Sequence, residues 1–174
     1  YDFQMVEDVN IALDALALVA EVNGANENRR HRIEHLEYVA EDSIPRLAEI
    51  GVIASMQPYH AADDGRWAWK RIRPEQINGT YAFRSILDAR ARLMFGSDWV
   101  VAPLDPLAGI WAAVTRRTID GRNPGGWVPA QKITVEEGVS CESCHGAGSG
   151  YYKKATMEGI TAGKIDGKTV GLAK

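Results

Sequence analysis

The sequence predicts an α/β fold in which parallel strands alternate with helices. Two observations carry this prediction: β-rich runs alternate with runs of helical spacing, and the buried-looking runs end in polar residues. In folds of this kind the reactive groups lie at the carboxyl ends of the strands. Here those ends offer His35, the segment from Gln57 to His60, and Ser97-Asp98.

Each predicted element depends on hydrophobic spacing and on the residues that end it. Apolar residues recur at helical spacing from Ile11 to Val22, and an Asn-Gly pair ends that helix. Gly51 closes the next helix and Pro58 stops the β-rich run after it. The predicted order is helix 9–22, a short strand within 31–39, helix 41–51, strand 52–58, a long loop at 59–73, helix 81–91, strand 92–98, helix 106–117 and a helix that begins in TVEEG at 134–138.

Composition restricts the function classes. The net charge is −3; residues 151–174 hold five Lys against one Glu and one Asp (+3), which leaves −6 for residues 1–150. A weakly acidic body with a basic tail does not predict a nucleic-acid binder. The longest apolar run is broken by Asp14 and falls short of the ~18–20 residues of a membrane span.

The character of the chain changes near residue 138. Residues 146–174 contain seven Gly and little apolar periodicity, so we predict one domain over 1–137 and an irregular segment over 138–174. This segment opens with C-x-x-C-H, formed by Cys141, Cys144 and His145. Two thiols and an adjacent histidine are what covalent attachment of one c-type heme requires, with His145 as the iron ligand.

Other interpretations of these cysteines stay open: a redox C-x-x-C, a zinc site that also uses His31 and His35, or a chance match. The segment resembles multiheme cytochromes of the c554 type, which carry similar C-E-S-C-H-G stretches. That resemblance implies electron transfer to a redox partner protein and a periplasmic or extracellular location. Without heme, a cytoplasmic location is expected.

A second motif is H-x-x-E-H at His31-Arg-Ile-Glu34-His35, the pattern of the inverted zinc proteases. That chemistry needs a helix, so that both histidines face one metal. The surroundings predict a strand, on which Glu34 points away from the histidines. The protease interpretation is therefore disfavoured.

The stretches RRHRIEHLEYV, GVIASMQPYHA, YAFRSILDARARLMFGSDWVV and GGWVPAQKITVEE, in this order and spacing, resemble the amidohydrolase superfamily over residues 9–137. The branch is the amidohydrolase 3 (YtcJ-like) type. The resemblance implies the C-terminal half of a (β/α)8 TIM-type barrel that hydrolyses C–N bonds of amide-type small molecules with zinc or another divalent metal.

By motif, the resemblance makes His35 and Asp98 metal ligands and Asp98 also the base that takes a proton from the attacking water. Gln57 and His60 would face the same mouth and touch substrate. The family's paired H-x-H and its carboxylated lysine or glutamate have no counterpart here. The chain alone is therefore expected to be inactive, and a complementing chain or oligomer is a possible partner.

Overall fold

The computed structural model describes residues 3–24 and 29–139, the side chains from residue 7 onward. The chain divides into two compact units, Tyr1–Ile133 and Thr134–Lys174. The second unit begins four residues before the boundary predicted at 138. Cys141, Cys144 and His145, which carry the predicted heme site, lie outside the described residues.

The first unit is built on a three-stranded parallel sheet in the order β1-β2-β3. The register aligns Arg32 with Ile53 and Ile53 with Arg92, so the three strands begin at the same level and run in the same direction. The strands are β1 (Arg32–Glu34), β2 (Ile53–Met56) and β3 (Arg92–Phe95). The prediction of an α/β fold with parallel strands is confirmed for this unit.

The helices connect and cover the strands. They are α1 (Phe3–Asn23), α2 (Ile44–Ile50), α3 (Pro58–Asp64), α4 (Phe83–Asp88) and α5 (Pro106–Thr115), with α6 (Val135–Gly138) in the second unit. Short 3-10 turns occupy Glu41–Ser43, Ala68–Lys70, Pro74–Gly79 and Pro129–Gln131. No helix in the described part of the chain is long and apolar enough to cross a membrane.

The core lies around the central strand. All four residues of β2 are buried, as expected for a strand covered on both faces. Leu47 from α2 and Phe83 and Ile86 from α4 are fully buried in the same cluster. α2 ends at Gly51, whose φ of 77° is the left-handed conformation that a residue without Cβ adopts at little cost.

The prediction of a long loop at 59–73 was wrong. Residues 58–64 form α3, which begins with Pro58 at its first turn and buries Ala61 and Ala62. Proline at this position costs no hydrogen bond, because the first amides of a helix have no partner within it. Seven residues are too few to show a clear helical period next to the polar Asp63 and Asp64, which explains the missed helix.

Arg116 joins α5 to the segment before α4. This residue is 1% exposed, and its guanidinium donates hydrogen bonds to the backbone carbonyls of Trp127 (3.0 Å), Tyr81 (3.2 Å) and Thr80 (3.2 Å). Burial lowers the pKa of Arg116 to about 9. The planar guanidinium also lies 5.3 Å from the ring centre of Phe83. One side chain therefore satisfies three buried acceptors and fixes the position of Tyr81.

Candidate metal centre

His35 follows the last residue of β1. Its backbone amide donates to Ser55 O at 2.8 Å, which continues the β1–β2 ladder by one residue. Its φ is 71°, in the left-handed region that non-glycine residues rarely adopt. The next residue, Leu36, is 2% exposed and anchors this turn in the core. The imidazole of His35 consequently stands at the carboxyl end of the sheet.

His60 reaches the same end from α3. Pro58 opens the helix one residue after the end of β2, which places His60 in the first turn of α3. The His60 side chain is 13% exposed, and its Nε2 atom is buried without a hydrogen-bond partner. Buried polar atoms are nearly always paired, so this nitrogen is open to a further partner such as a water molecule or a metal ion.

Asp98 lies three residues beyond β3. Its φ is 57°, and its backbone carbonyl accepts from Val101 N at 2.8 Å, so the loop turns sharply at this residue. Asp98 Oδ2 lies 3.7 Å from His60 Nε2, beyond hydrogen-bond range. Residues in the left-handed region at two of three strand ends are typical of functional sites, where surrounding structure holds a strained backbone.

Glu37 lies close to the two histidines. One ligand atom from each of His35, Glu37 and His60 lies within 4.8 Å of the other two. The two imidazole rings are stacked with centres 6.3 Å apart. These groups face a cavity of about 450 Å³ lined by His35, Glu37, Tyr59, His60, Asp63, Asp64, Asp98, Val101 and Ala102.

Carboxylates dominate the electrostatics of the cavity. The Glu37 carboxylate, 3.8 Å from His60 Nδ1, is the main cause of a raised pKa of His60; Asp98 and Asp64 add to it, and burial opposes it. Burial raises the pKa of Asp64, and the hydrogen bond that Tyr81 OH donates to Asp64 Oδ2 (2.5 Å) offsets part of that rise.

The donor set fits a divalent metal. Two imidazoles and two carboxylates are ligands that zinc prefers. With bonds of about 2.1 Å, neighbouring ligand atoms around a tetrahedral ion lie roughly 3.4 Å apart. The observed separations are somewhat longer: 3.7 Å between His60 Nε2 and Asp98 Oδ2, and at most 4.8 Å among the ligand atoms of His35, Glu37 and His60. His60 Nε2 makes no hydrogen bond in the structure and lies 3.7 Å from Asp98 Oδ2, an arrangement compatible with a metal ion bound by both residues.

The structure brings together three of the four barrel residues predicted from sequence: His35, Asp98 and His60. Gln57 is different, because its side chain is 5% exposed, lies outside the lining of this cavity and leaves Oε1 buried without a partner. Its substrate role stays a prediction. Sequence reasoning missed Glu37 and Asp64; their one signal is that each closely follows a predicted site histidine.

The H-x-x-E-H alternative is wrong. Strand β1 separates His31 from His35, and the two residues stand at opposite ends of the sheet. His31 lines a different cavity. The two imidazoles therefore cannot share one ion.

Sequence comparison finds a matching family and two similar proteins. The amidohydrolase family model matches residues 5–148, beyond the boundary predicted at 137. Protein LONG AFTER FAR-RED 3 of Arabidopsis thaliana is 33% identical over 143 residues, which cover 82% of this chain and 24% of that protein. The putative amidohydrolase YtcJ of Bacillus subtilis is 23% identical over 146 residues, 84% of this chain and 28% of that protein.

Two solved structures are similar. An uncharacterized metal-dependent hydrolase from Pyrococcus furiosus aligns with a TM-score of 0.59 and 29% identity, over 76% of this chain and 25% of that one. A second such hydrolase, from Pyrococcus horikoshii OT3, has a TM-score of 0.54 and 24% identity over 91% of this chain and 28% of that one, and shows the fold alone. The chain thus spans about a quarter of the length of its curated relatives.

Proposed function

Because the chain belongs to the amidohydrolase family, we propose that it supplies the metal-binding and proton-accepting side of a site that hydrolyses C–N bonds in amide-type small molecules. The observation that carries this proposal is the buried His60 Nε2, which has no hydrogen-bond partner although the side chains of His35, Glu37 and Asp98 surround His60. His60, assigned from sequence to substrate contact, is thereby reassigned to metal binding.

In this proposal His35, His60 and Asp98 hold the metal, and Glu37 orients His60 through Nδ1. A bound divalent metal would supply Lewis-acid polarisation of a water and of the substrate carbonyl. The Asp98 carboxylate takes the proton of the attacking water as the new C–O bond forms. The proton then passes to the nitrogen as the C–N bond breaks, and an acid and an amine leave the cavity.

We further propose that the remaining ligands come from another part of the barrel, on a complementing or longer chain. The exposed apolar side chains that follow β3 support this, since solvent would otherwise cover them: Trp99, Val100, Val101, Leu104, Leu107 and Trp111. In the described part of the chain, β3 pairs only with β2.

Cobalt(II) tests the ligand set. We expect the Co²⁺-loaded chain to show visible d–d bands that His60→Ala abolishes and that His31→Ala, at the other end of the sheet, leaves unchanged. A double substitution, Cys141→Ser with Cys144→Ser, removes the two thiols of the chain as competing ligands. Cobalt bands that survive His60→Ala in that background would contradict the proposed centre.

The expected inactivity of the isolated chain is tested on zinc-loaded samples. N-formyl and N-acetyl arylamines should release no amine above the zinc-only background. Amine release that Asp98→Asn removes, and that Asp88→Asn on the surface of α4 does not, would instead show that the chain forms a complete site.

Heme attachment at Cys141, Cys144 and His145 remains a second proposal, supported by the C-x-x-C-H motif alone. An absorption spectrum of the reduced chain, purified from cells with attachment machinery, tests it together with the intact mass. A sharp α-band and the added mass of one heme are expected. A featureless spectrum and an unmodified mass would remove the proposed heme and the exported location with it.

A further inference from the structure

A second cavity lies at the opposite end of the sheet from the metal centre. Its volume is about 500 Å³, within the range of small-molecule sites. Residues at the amino ends of β1 and β3, His31 and Arg92, contribute to its lining. The metal-centre residues follow the carboxyl ends of the same strands, so the two cavities are separated by the length of the sheet.

The polar lining of this cavity is mainly basic. Arg29, His31, Arg90 and Arg92 line it, against one carboxylate, that of Glu49. Among the described residues, the structure shows no salt bridge from Arg90 or Arg92 to a carboxylate. A cleft lined by charges of one sign focuses the field on its interior and attracts ions of the opposite sign.

The cationic residues are held in place by the fold. Arg29 donates from Nη1 to Val19 O (3.3 Å) and from Nη2 to Asn23 O (3.2 Å), which ties it to the last turn of α1. Arg92 is the first residue of β3, in register with Ile53 of the central strand. Arg90 has a φ of 59°, and its amide donates to Leu87 O at the end of α4. The fold therefore fixes the backbone positions of Arg90 and Arg92 and holds the side chain of Arg29 against α1.

Part of the cavity wall is apolar. Leu16 of α1 and Leu47 and Ile50 of α2 also line the cavity. An inorganic anion would leave this wall without a partner, whereas an organic anion would cover it and present its charge to the guanidinium groups.

We propose that this cavity binds a small organic anion, with a phosphate head against Arg90 and Arg92 and an apolar body against α1 and α2. Guanidinium groups bind carboxylates and phosphates alike through paired hydrogen bonds. The three terminal oxygens of a phosphate monoester can engage two guanidinium groups at once more fully than the two oxygens of a carboxylate. This cavity shares no lining residue with the metal centre. A failure to detect anion binding here would therefore leave the proposed hydrolase function unaffected.

Phenyl phosphate is the probe, titrated into the full ¹⁵N-labelled chain in the presence of EDTA and followed by NMR. We expect saturable shifts of the amides of Gly51 and Ala20, which line the cavity, without matching shifts at His35 and His60. Inorganic phosphate, phenol and benzoate test the head and the body separately. Each should bind more weakly than phenyl phosphate.

Arg92→Gln and Arg90→Asn should each weaken binding roughly tenfold or more, the effect of losing a charge-assisted hydrogen bond. Asparagine is used at position 90 because it tolerates a positive φ. Arg71→Gln, an exposed arginine outside the cavity lining, is the control of equal charge change and should bind like the parent.

Four results would overturn the proposal: no saturable shift, shifts centred on the metal site, binding that Arg71→Gln weakens as much as Arg92→Gln, or binding of inorganic phosphate as tight as that of phenyl phosphate. Benzoate binding tighter than phenyl phosphate would overturn the choice of head group.

Discussion

Arg116→Lys should strongly destabilise the first unit. The arginine forms three hydrogen bonds to buried carbonyls, those of Trp127, Tyr81 and Thr80. A lysine ammonium is a compact donor without the planar fork of arginine, so it can replace about one of these bonds. At roughly 1.5 kcal/mol for each of the two lost charge-assisted bonds, the free energy of unfolding should fall by about 3 kcal/mol.

Urea denaturation followed by tryptophan fluorescence measures this change. With a slope of about 2 kcal/mol/M, the midpoint should fall by about 1.5 M. Arg117→Lys is the matched control, because that neighbouring arginine is exposed and donates from Nε to the Pro124 carbonyl at the surface; its midpoint should move by less than ~0.3 M. Equal midpoints for Arg116→Lys and the parent would refute the assignment of three stabilising bonds to Arg116.

Two further substitutions test a buried hydrogen bond and a close backbone contact in the first unit. Tyr81→Phe removes the hydroxyl that donates to Asp64 and should cost about 1–3 kcal/mol. Burial raises the folded-state pKa of Asp64, and this hydrogen bond offsets part of that rise, so losing the bond raises the pKa further. The loss of stability measured by urea denaturation should therefore be larger at pH 8, where Asp64 must ionise, than at pH 4. An equal loss at both pH values would contradict this role of the hydrogen bond. Gly79→Ala places a Cβ 2.2 Å from Val39 O and should lower the thermal midpoint by an amount equivalent to ~1–3 kcal/mol. Gly109→Ala in α5 is the control: its Cβ would meet no atom within 4 Å, so this substitution should stabilise the protein by up to ~1 kcal/mol. Equal thermal midpoints for the two variants would refute the clash at Gly79.

The sequence predicted the parallel sheet because each strand is a short apolar run bounded by a helix and a polar end. It predicted His35 and Asp98 because both follow such runs within recognisable motifs. The sequence placed His60 at the same end of the sheet but did not indicate its contacts with Glu37 and Asp98, since a residue in the first turn of an unpredicted helix carries no sign of where its imidazole points. Arg116 was missed for a related reason: the partners of its guanidinium are backbone carbonyls about 11 to 36 positions away, and sequence patterns do not reveal them.

We propose that one divalent ion binds at His35, His60 and Asp98. The most direct test is competition with a chromophoric chelator for Zn²⁺, using the chain with both cysteines changed to serine. We predict one zinc ion per chain. A structural zinc site contributes ~10–16 kcal/mol, which is roughly 2.5–4 kcal/mol for each of four ligands. His60→Ala should therefore lower the zinc affinity about 100-fold or more.

His31→Ala should leave the zinc affinity unchanged, because that histidine lies at the other end of the sheet. A chain that binds no zinc, or that binds it equally tightly after His60→Ala, would contradict the account.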